Sequence, residues 1–349
     1  RHILSRAILK FQSVEDNQLH QHARAIQSEI HRLRQSHGIG ISEKWKMKVV
    51  PLQLNLMGVN YLFHHRYIPF LCSYHDKVNS APMKSFNVRL SEIINVKKSH
   101  LCVGLDITPE RLSATSSSLD DLKTHTFRVI DATRDLVAAY KPNLAFFERW
   151  GSPGYQWLEE TMDYFDNDVV IIGDAKRGDI GNTAKQYAKS IFDHFGFDAV
   201  TLSPYMGRDS ITPFTEIPEK GAFILCRTSN PSAIDLQSLS TGKELLFDKI
   251  AKLAVQWNQN NNVGLVVGAT SPEEISRVRG NASGLPFLIP GIGAQGGDLT
   301  KSMIDGNTDG VALINVSRSI SFAGDLSKSA IRDAAQGYVN TMRDLMHGS

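Results

Sequence analysis

Residues Asp174 to Thr183 read DAKRGDIGNT. An acid and a lysine two positions apart fall on one face of a strand, because successive side chains alternate sides. A carboxylate beside an ammonium can hold a proton donor charged and aimed. That suits proton transfer and the stabilisation of developing negative charge. Asp179 follows on the adjoining loop, and Lys141 and Asp106 each lie at the end of an earlier apolar run. Together they form a candidate network of alternating carboxylates and ammoniums. For an isolated Asp-x-Lys the competing reading is a structural ion-pair cluster. The full ten-residue string favours function, since buried charges are costly unless paired and gather where chemistry needs them.

Two further stretches read as binding elements. Pro290 to Asp298 is PGIGAQGGD, and Arg318 follows the next apolar run. Glycines let backbone N–H groups approach an anion closely, Gln295 adds a side-chain donor, and an arginine can grip phosphate with two parallel bonds. Tight-turn geometry alone would also explain the glycines. Arg227 to Lys243, RTSNPSAIDLQSLSTGK, is long and polar without clear periodicity. Such a loop beside an active face suits a lid, with a plain surface loop as the alternative.

These residues need a frame that brings the ends of several strands together. Short apolar runs occur at Leu101–Leu105, Ala138–Phe147, Val169–Ile172, Ala199–Leu202, Ala222–Cys226, Val263–Val267, Pro286–Ile289 and Val311–Ile314. Continuous apolar runs are expected of parallel strands buried on both faces. Helical periodicity separates them at Leu119–Ala139, Ala184–Phe195, Lys243–Asn258 and Pro272–Arg279, and closes the chain at Ser329–Met346. Eight strand–helix units predict an α/β fold, a closed (β/α)8 TIM barrel, with an open doubly wound sheet as runner-up. The first strand runs into VGLDITPE, which lacks a dinucleotide-binding glycine pattern. The polar residues at the strand ends are then Asp106, Lys141, Asn143, Asp174, Lys176, Asp179, Ser203, Tyr205, Thr228, Ser229, Asn230, Thr270, Asn315, Ser317 and Arg318. In barrels of this kind the chemistry sits at those ends.

Composition excludes several functions. The 349 residues are 42% hydrophobic and 21% charged with a formal net charge of +2, which offers no electrostatic basis for nucleic-acid binding. Lysines and arginines number 11 against 5 acids before Met83, and 27 against 31 from there on. Eight of the 12 histidines also precede Met83. Residues 1–82 thus read as a basic, histidine-rich extension outside the barrel, and residues 83–349 as one domain. Met83 opens MKSFNVRLSEII, which reads as a start followed by an amphipathic helix. Cys72, Cys102 and Cys226 are too few and scattered for a disulfide framework, and suit a reducing, cytoplasmic setting. No run of 18 apolar residues is present, so no membrane span is expected. From Met83 onward, His100, His125, His194 and His347 have no second ligand at useful spacing, so neither a metal site nor a serine–histidine triad is expected.

Seven strings, CVGLDITP, YKPNLAFFE, DAKRGDIGNT, SPYMG, TSNP, VVGAT and PGIGAQGGD, occur in order from Cys102 to Asp298. In their order and spacing the chain resembles the orotidine 5′-phosphate decarboxylases, in their second, largely bacterial subtype, from about Met83 to the C-terminus. The resemblance implies a cofactor-free barrel homodimer with shared active sites. It would convert orotidine 5′-phosphate to UMP and CO2, the last step of UMP synthesis. It implies Lys176 as proton donor, Asp174 against the departing carboxylate, and Lys141 holding Asp174 and contacting the ribose. Asp106 would take a ribose hydroxyl, and Asp179 and Thr183 would reach the neighbouring subunit's site. Ser229 would meet the pyrimidine, and Gln295 and Arg318 would hold phosphate. The leader has no counterpart in that pattern and is too small for the transferase fused to some relatives. The strand-eight end, NVSRSI, has serine where many relatives have glycine. Two other readings stay open: a sugar-phosphate decarboxylase or aldolase of the same superfamily, usually metal-dependent, and a catalytically inactive barrel used for binding.

Overall fold

The eight apolar runs pair edge to edge in the computed structural model, which describes residues 84–112, 117–293 and 295–347. The basic leader lies outside the described residues. The strands are β1 (Leu101–Leu105), β2 (Ala139–Pro142), β3 (Val170–Arg177), β4 (Ala199–Leu202), β5 (Gly221–Arg227), β6 (Val263–Val267), β7 (Phe287–Pro290) and β8 (Ala312–Val316). All neighbours are parallel, and β8 returns to β1 to close the barrel. Closure removes every free sheet edge, and it requires each strand to be covered on both sides.

Two apolar layers provide that cover. Alternate residues of the strands, including Cys102, Ala139, Val170, Ile172, Ala199, Phe223, Val266, Leu288 and Leu313, form a cluster with Phe86, Leu90 and Ile94. Those last three lie on α1 (Phe86–Lys97) at helical spacing. One helix thus seals the barrel interior, with Phe86 edge-on to Phe223 at 5.8 Å between centroids. The other strand face, with Leu101, Val103, Leu105, Val200, Leu265 and Ile314, packs against the surrounding helices. These are α2 (Leu119–Thr133), α3 (Ser152–Tyr164), α4 (Gly181–Lys189), α5 (Leu246–Trp257), α6 (Pro272–Asn281), α7 (Leu299–Asn307) and α8 (Lys328–His347).

The structure departs from the sequence expectations in two places. The run expected as a strand from Ala138 to Phe147 leaves the sheet at Pro142. Asn143 caps a short helix, Leu144–Glu148, accepting from the Ala145 N–H at 3.3 Å. Leu144 and Phe147 are buried one turn apart on it. An apolar run of this length has no periodicity that separates strand from helix. Helices α3 and α7 fill the expected helical positions between β2 and β3 and between β7 and β8, and α3 buries Trp157, Leu158 and Thr161. The segment expected as an aperiodic loop after β5 holds a 3-10 turn, Pro231–Asp235, and an antiparallel bridge between Ser240 and Leu245.

Candidate active site

In-phase alternation carries inward-facing polar residues upward from the apolar layer. Lys141 lies two residues beyond Ala139, Asp174 two beyond Ile172, and Thr201 two beyond Ala199. Their side chains meet. Lys141 Nζ donates to Asp174 Oδ2 at 2.6 Å, and Lys176 Nζ donates to Asp174 Oδ1 at 2.5 Å. The Thr201 hydroxyl donates to the same Oδ1 at 3.0 Å. Lys141 and Asp174 have 6% and 10% of their side chains exposed, whereas Lys176 has 51%. The array therefore has a closed end, Lys141, and an open end, Lys176, able to meet a ligand.

Burial works against both members of the closed pair and is outweighed in each. It would raise the Asp174 carboxyl, but Lys141 and Lys176 hold it well below the usual carboxylate range. It would lower the Lys141 ammonium, but Asp174 and then Asp106 keep it above the ordinary lysine value. A negative Asp174 between two positive lysines is thus the state the site holds at neutral pH. Cys102, beneath them, is pushed up to about 12 by burial and is an inert thiol.

Asp106 stands just past β1. Its Oδ2 takes a short hydrogen bond from Ser317 Oγ, and its Oδ1 is buried with no partner among the described residues. Ser317 also contacts the Gly104 carbonyl at 3.1 Å, so β1 and β8 are tied together at the mouth. Asp106 is then an oriented acceptor with one oxygen available to a donor such as a hydroxyl.

The glycine loop after β7 folds back on itself. Gly297 N–H donates to the Gly291 carbonyl at 3.0 Å, and Gly296 N–H to the Gly293 carbonyl at 2.9 Å. Gly291 and Gly293 have φ of 108° and 78°, which L side chains avoid. A Cβ at Gly291 would lie 3.1 Å from Gln295 Oε1 and 3.5 Å from Ser229 Cβ, so the loop brings Gln295 and Ser229 to one place. A Cβ at Gly293 would collide with Ser319, which lies on the short helix Arg318–Ser321. Arg318 opens that helix, and its guanidinium has no acidic partner among the described residues. Ser229 is fixed from both sides: its carbonyl accepts from Thr270 at 3.3 Å, and Thr228 is clamped by Gln237. Gln237 accepts from the Thr228 N–H and donates to its hydroxyl, each at 2.8 Å.

Of the residues singled out in the sequence, Lys141, Asp174 and Lys176 form one bonded set, and Ser229 and Gln295 lie together across the mouth. Asp179 and Thr183 stand apart. Asp179 Oδ1 accepts from the Ile180 N–H at 2.8 Å, and no hydrogen bond or ion pair joins it to the lysine–aspartate set among the described residues. Thr183 is exposed on α4. Sequence reasoning missed Thr201 because it lies inside an apolar run, although its phase with Ala199 and Ser203 put it on the inward face. It registered Ser317 only as a strand end and assigned it no role. Among the described residues no group of three His, Cys, Asp or Glu side chains is placed to hold a metal ion.

A closed parallel barrel with opposed charges at the strand mouths and an anion-suited loop after β7 is the architecture of a (β/α)8 enzyme for a small anionic substrate. The family model of orotidine 5′-phosphate decarboxylase / HUMPS matches residues 99–332. The orotidine 5′-phosphate decarboxylase of Natronomonas pharaonis is 48% identical over 69% of this chain and 90% of its own length. That of Herpetosiphon aurantiacus is 45% identical over 72% of this chain and 95% of its own. The structure of the Leishmania donovani OMP decarboxylase superposes with a TM-score of 0.66 at 41% identity, covering 74% of this chain and 99% of that one. The chain belongs to the orotidine 5′-phosphate decarboxylase / HUMPS family.

Proposed function

We propose that the chain decarboxylates orotidine 5′-phosphate to UMP and CO2, the last step of UMP synthesis. The observation that carries the reading is the Lys141–Asp174–Lys176 array at the barrel mouth of a chain in this family. Breaking the bond to the carboxylate leaves an electron pair on a ring carbon that the ring does not delocalise. The barrier is therefore lowered chiefly by charge already in place. Lys176, the exposed end of the array, supplies a positive charge beside that carbon and then its proton. Asp174, held negative, faces the carboxylate that must leave, which disfavours the bound substrate more than the transition state. Lys141 keeps Asp174 in position and contacts the ribose.

Asp106 fits a ribose hydroxyl, because its buried Oδ1 lacks a donor. Ser229 fits the pyrimidine, and Gln295 with Arg318 fits the phosphate. Phosphate is remote from the reacting carbon, so its binding energy can order the loops over the site and raise kcat as well as affinity. The reading takes the catalytic unit as residues 83–349, with residues 1–82 outside it. It also takes a homodimer in which Asp179 and Thr183 complete the partner's site, in keeping with the exposure of Thr183 and with the lack of a hydrogen bond or ion pair from Asp179 to the home array among the described residues. The buried thiols of Cys102 and Cys226 suit the cytoplasm, and among the described residues no helix is long and apolar enough to cross a membrane. Incubation with orotidine 5′-phosphate, following loss of its ultraviolet absorbance and appearance of UMP, tests the reading. Substrate that persists beside a folded protein overturns it.

A further inference from the structure

Lys176 has φ of 47°, a left-handed conformation that a residue with a side chain rarely adopts. The β3–β4 register also shifts between Gly173 and Arg177, so Lys176 sits on a bulge. Simple alternation would aim Lys176 and Asp174 in parallel from one strand face. The bulge re-aims Lys176 so that its ammonium comes back onto Asp174 Oδ1. Bulged backbone of this kind persists only where its surroundings hold it.

One side chain does the holding. Thr201 Oγ1 accepts from the Ala175 N–H at 3.1 Å and from the Lys176 N–H at 3.0 Å. Its proton goes to Asp174 Oδ1 at 3.0 Å. The hydroxyl's donor and both of its lone pairs are thereby used, all on the three residues Asp174, Ala175 and Lys176. Thr201 is 2% exposed, so water does not compete for these bonds. Its β-branched side chain has few rotamers, so the hydroxyl is held where it is needed.

We infer that Thr201 is a positioning residue: its hydroxyl locks the left-handed bulge at Lys176 and orients Asp174, so that ammonium and carboxylate meet the reacting carbon in one fixed arrangement. Its kinetic consequence rests on the decarboxylase reading; its structural consequence does not.

The test is Thr201→Val, which keeps shape and branching and removes the hydroxyl, beside Thr201→Ser, which keeps the hydroxyl. With orotidine 5′-phosphate as substrate, Thr201→Val lowers kcat by about 100-fold, the scale of an ångström-sized misplacement. The dissociation constant for UMP, which has no carboxylate to meet the array, changes by less than about 3-fold. Thr201→Ser returns kcat to near the wild-type value. A crystal structure of Thr201→Val shows Lys176 out of the left-handed region. Unchanged kcat overturns the inference, as does an equal loss of kcat and UMP affinity, or a Lys176 that stays at positive φ. If Thr201→Val does not fold, Thr201→Ala, which also removes the hydroxyl, is read by the same criteria. If neither folds, the role is structural and the inference fails. A wild-type protein that does not turn over the substrate refutes the functional reading alone, and the crystal structure still decides the role of Thr201.

Discussion

Lys141 Nζ and Asp174 Oδ2 lie 2.6 Å apart across β2 and β3, each nearly closed to solvent. A buried pair of this kind is weak evidence for stability, since desolvation offsets much of the attraction. It is strong evidence for a maintained charge pattern, because the second oxygen of Asp174 is taken by Lys176. Asp174 is thus bracketed by two positive charges, one more than a closed ion pair contains.

Lys141→Ala leaves Asp174 buried with only the exposed Lys176 as a charged partner. Removing one member of a buried pair costs about 3–5 kcal/mol, and the surviving contact to Lys176 places this case near about 3 kcal/mol. Urea unfolding measures it. A loss below about 1 kcal/mol, the scale of an exposed pair, would show that the pair is solvated in solution.

Lys176→Ala is expected to abolish decarboxylation while leaving fold and nucleotide binding measurable. Losing a proton donor alone costs about 10²–10⁴-fold, and in the proposed mechanism this lysine also supplies the charge beside the reacting carbon. Half of its side chain is exposed, so the fold does not depend on it. Turnover above about a hundredth of wild type would remove Lys176 from its assigned role.

Acid should destabilise the barrel from neutral pH downward through two histidines. Burial is the main cause holding His100 and His125 below 6.5; carbonyls of Ala312 and Ser321 work the other way, and Arg128 adds to the lowering at His125. With folded pKa values below the unfolded one, the folded state binds fewer protons, so stability is lost as pH falls through 6.5 toward those lower values. His125 Nε2–H donates to the Ser321 carbonyl at 2.6 Å and the ring stacks on Phe322, so the neutral ring with its proton on Nε2 is the favoured form. Thermal midpoints between pH 8 and 5 should fall less steeply in His125→Gln than in wild type. Parallel slopes would place the acid sensitivity elsewhere.

Truncation of residues 1–82 is expected to leave a soluble, active enzyme. The charge shift at Met83 and the sealing of the barrel interior by α1, which begins at Phe86, motivate it. Expression of residues 83–349 and the ultraviolet assay decide. An insoluble or inactive product would make the leader part of the catalytic unit.

Mixed dimers test whether sites are shared. Lys176→Ala and Asp179→Ala proteins should each be nearly inactive. In a two-fold dimer with exchanged Asp179, a mixed pair has one site with both lesions and one with neither. Random re-association then restores about a quarter of wild-type sites. Activity that stays at the level of the separate variants, with subunit exchange demonstrated, would place Asp179 in its own chain's site.

Local pattern alone determined the barrel. β1, β4 and β6 match their apolar runs residue for residue, because parallel strands buried on both faces leave an uninterrupted apolar trace. It also determined which strand ends carry charge, so Lys141, Asp174 and Lys176 were legible in the sequence. Asp179 and Thr183 were legible as residues, but which chain's site they serve is the question the mixed-dimer experiment answers.

What only the tertiary structure decided depends on register. The run through Lys141 ends as a helix because Asn143 caps it, and no apolar count distinguishes the two outcomes. The left-handed Lys176 and the Thr201 hydroxyl beneath it are set by how β3 pairs with β4, a relation between residues 25 apart in sequence. The bond from Ser317 to Asp106 joins residues 211 apart, brought together by the closure of β8 on β1. Periodicity reports which face a side chain takes within its own element. The partner it meets there is set by the pairing of elements distant in the chain.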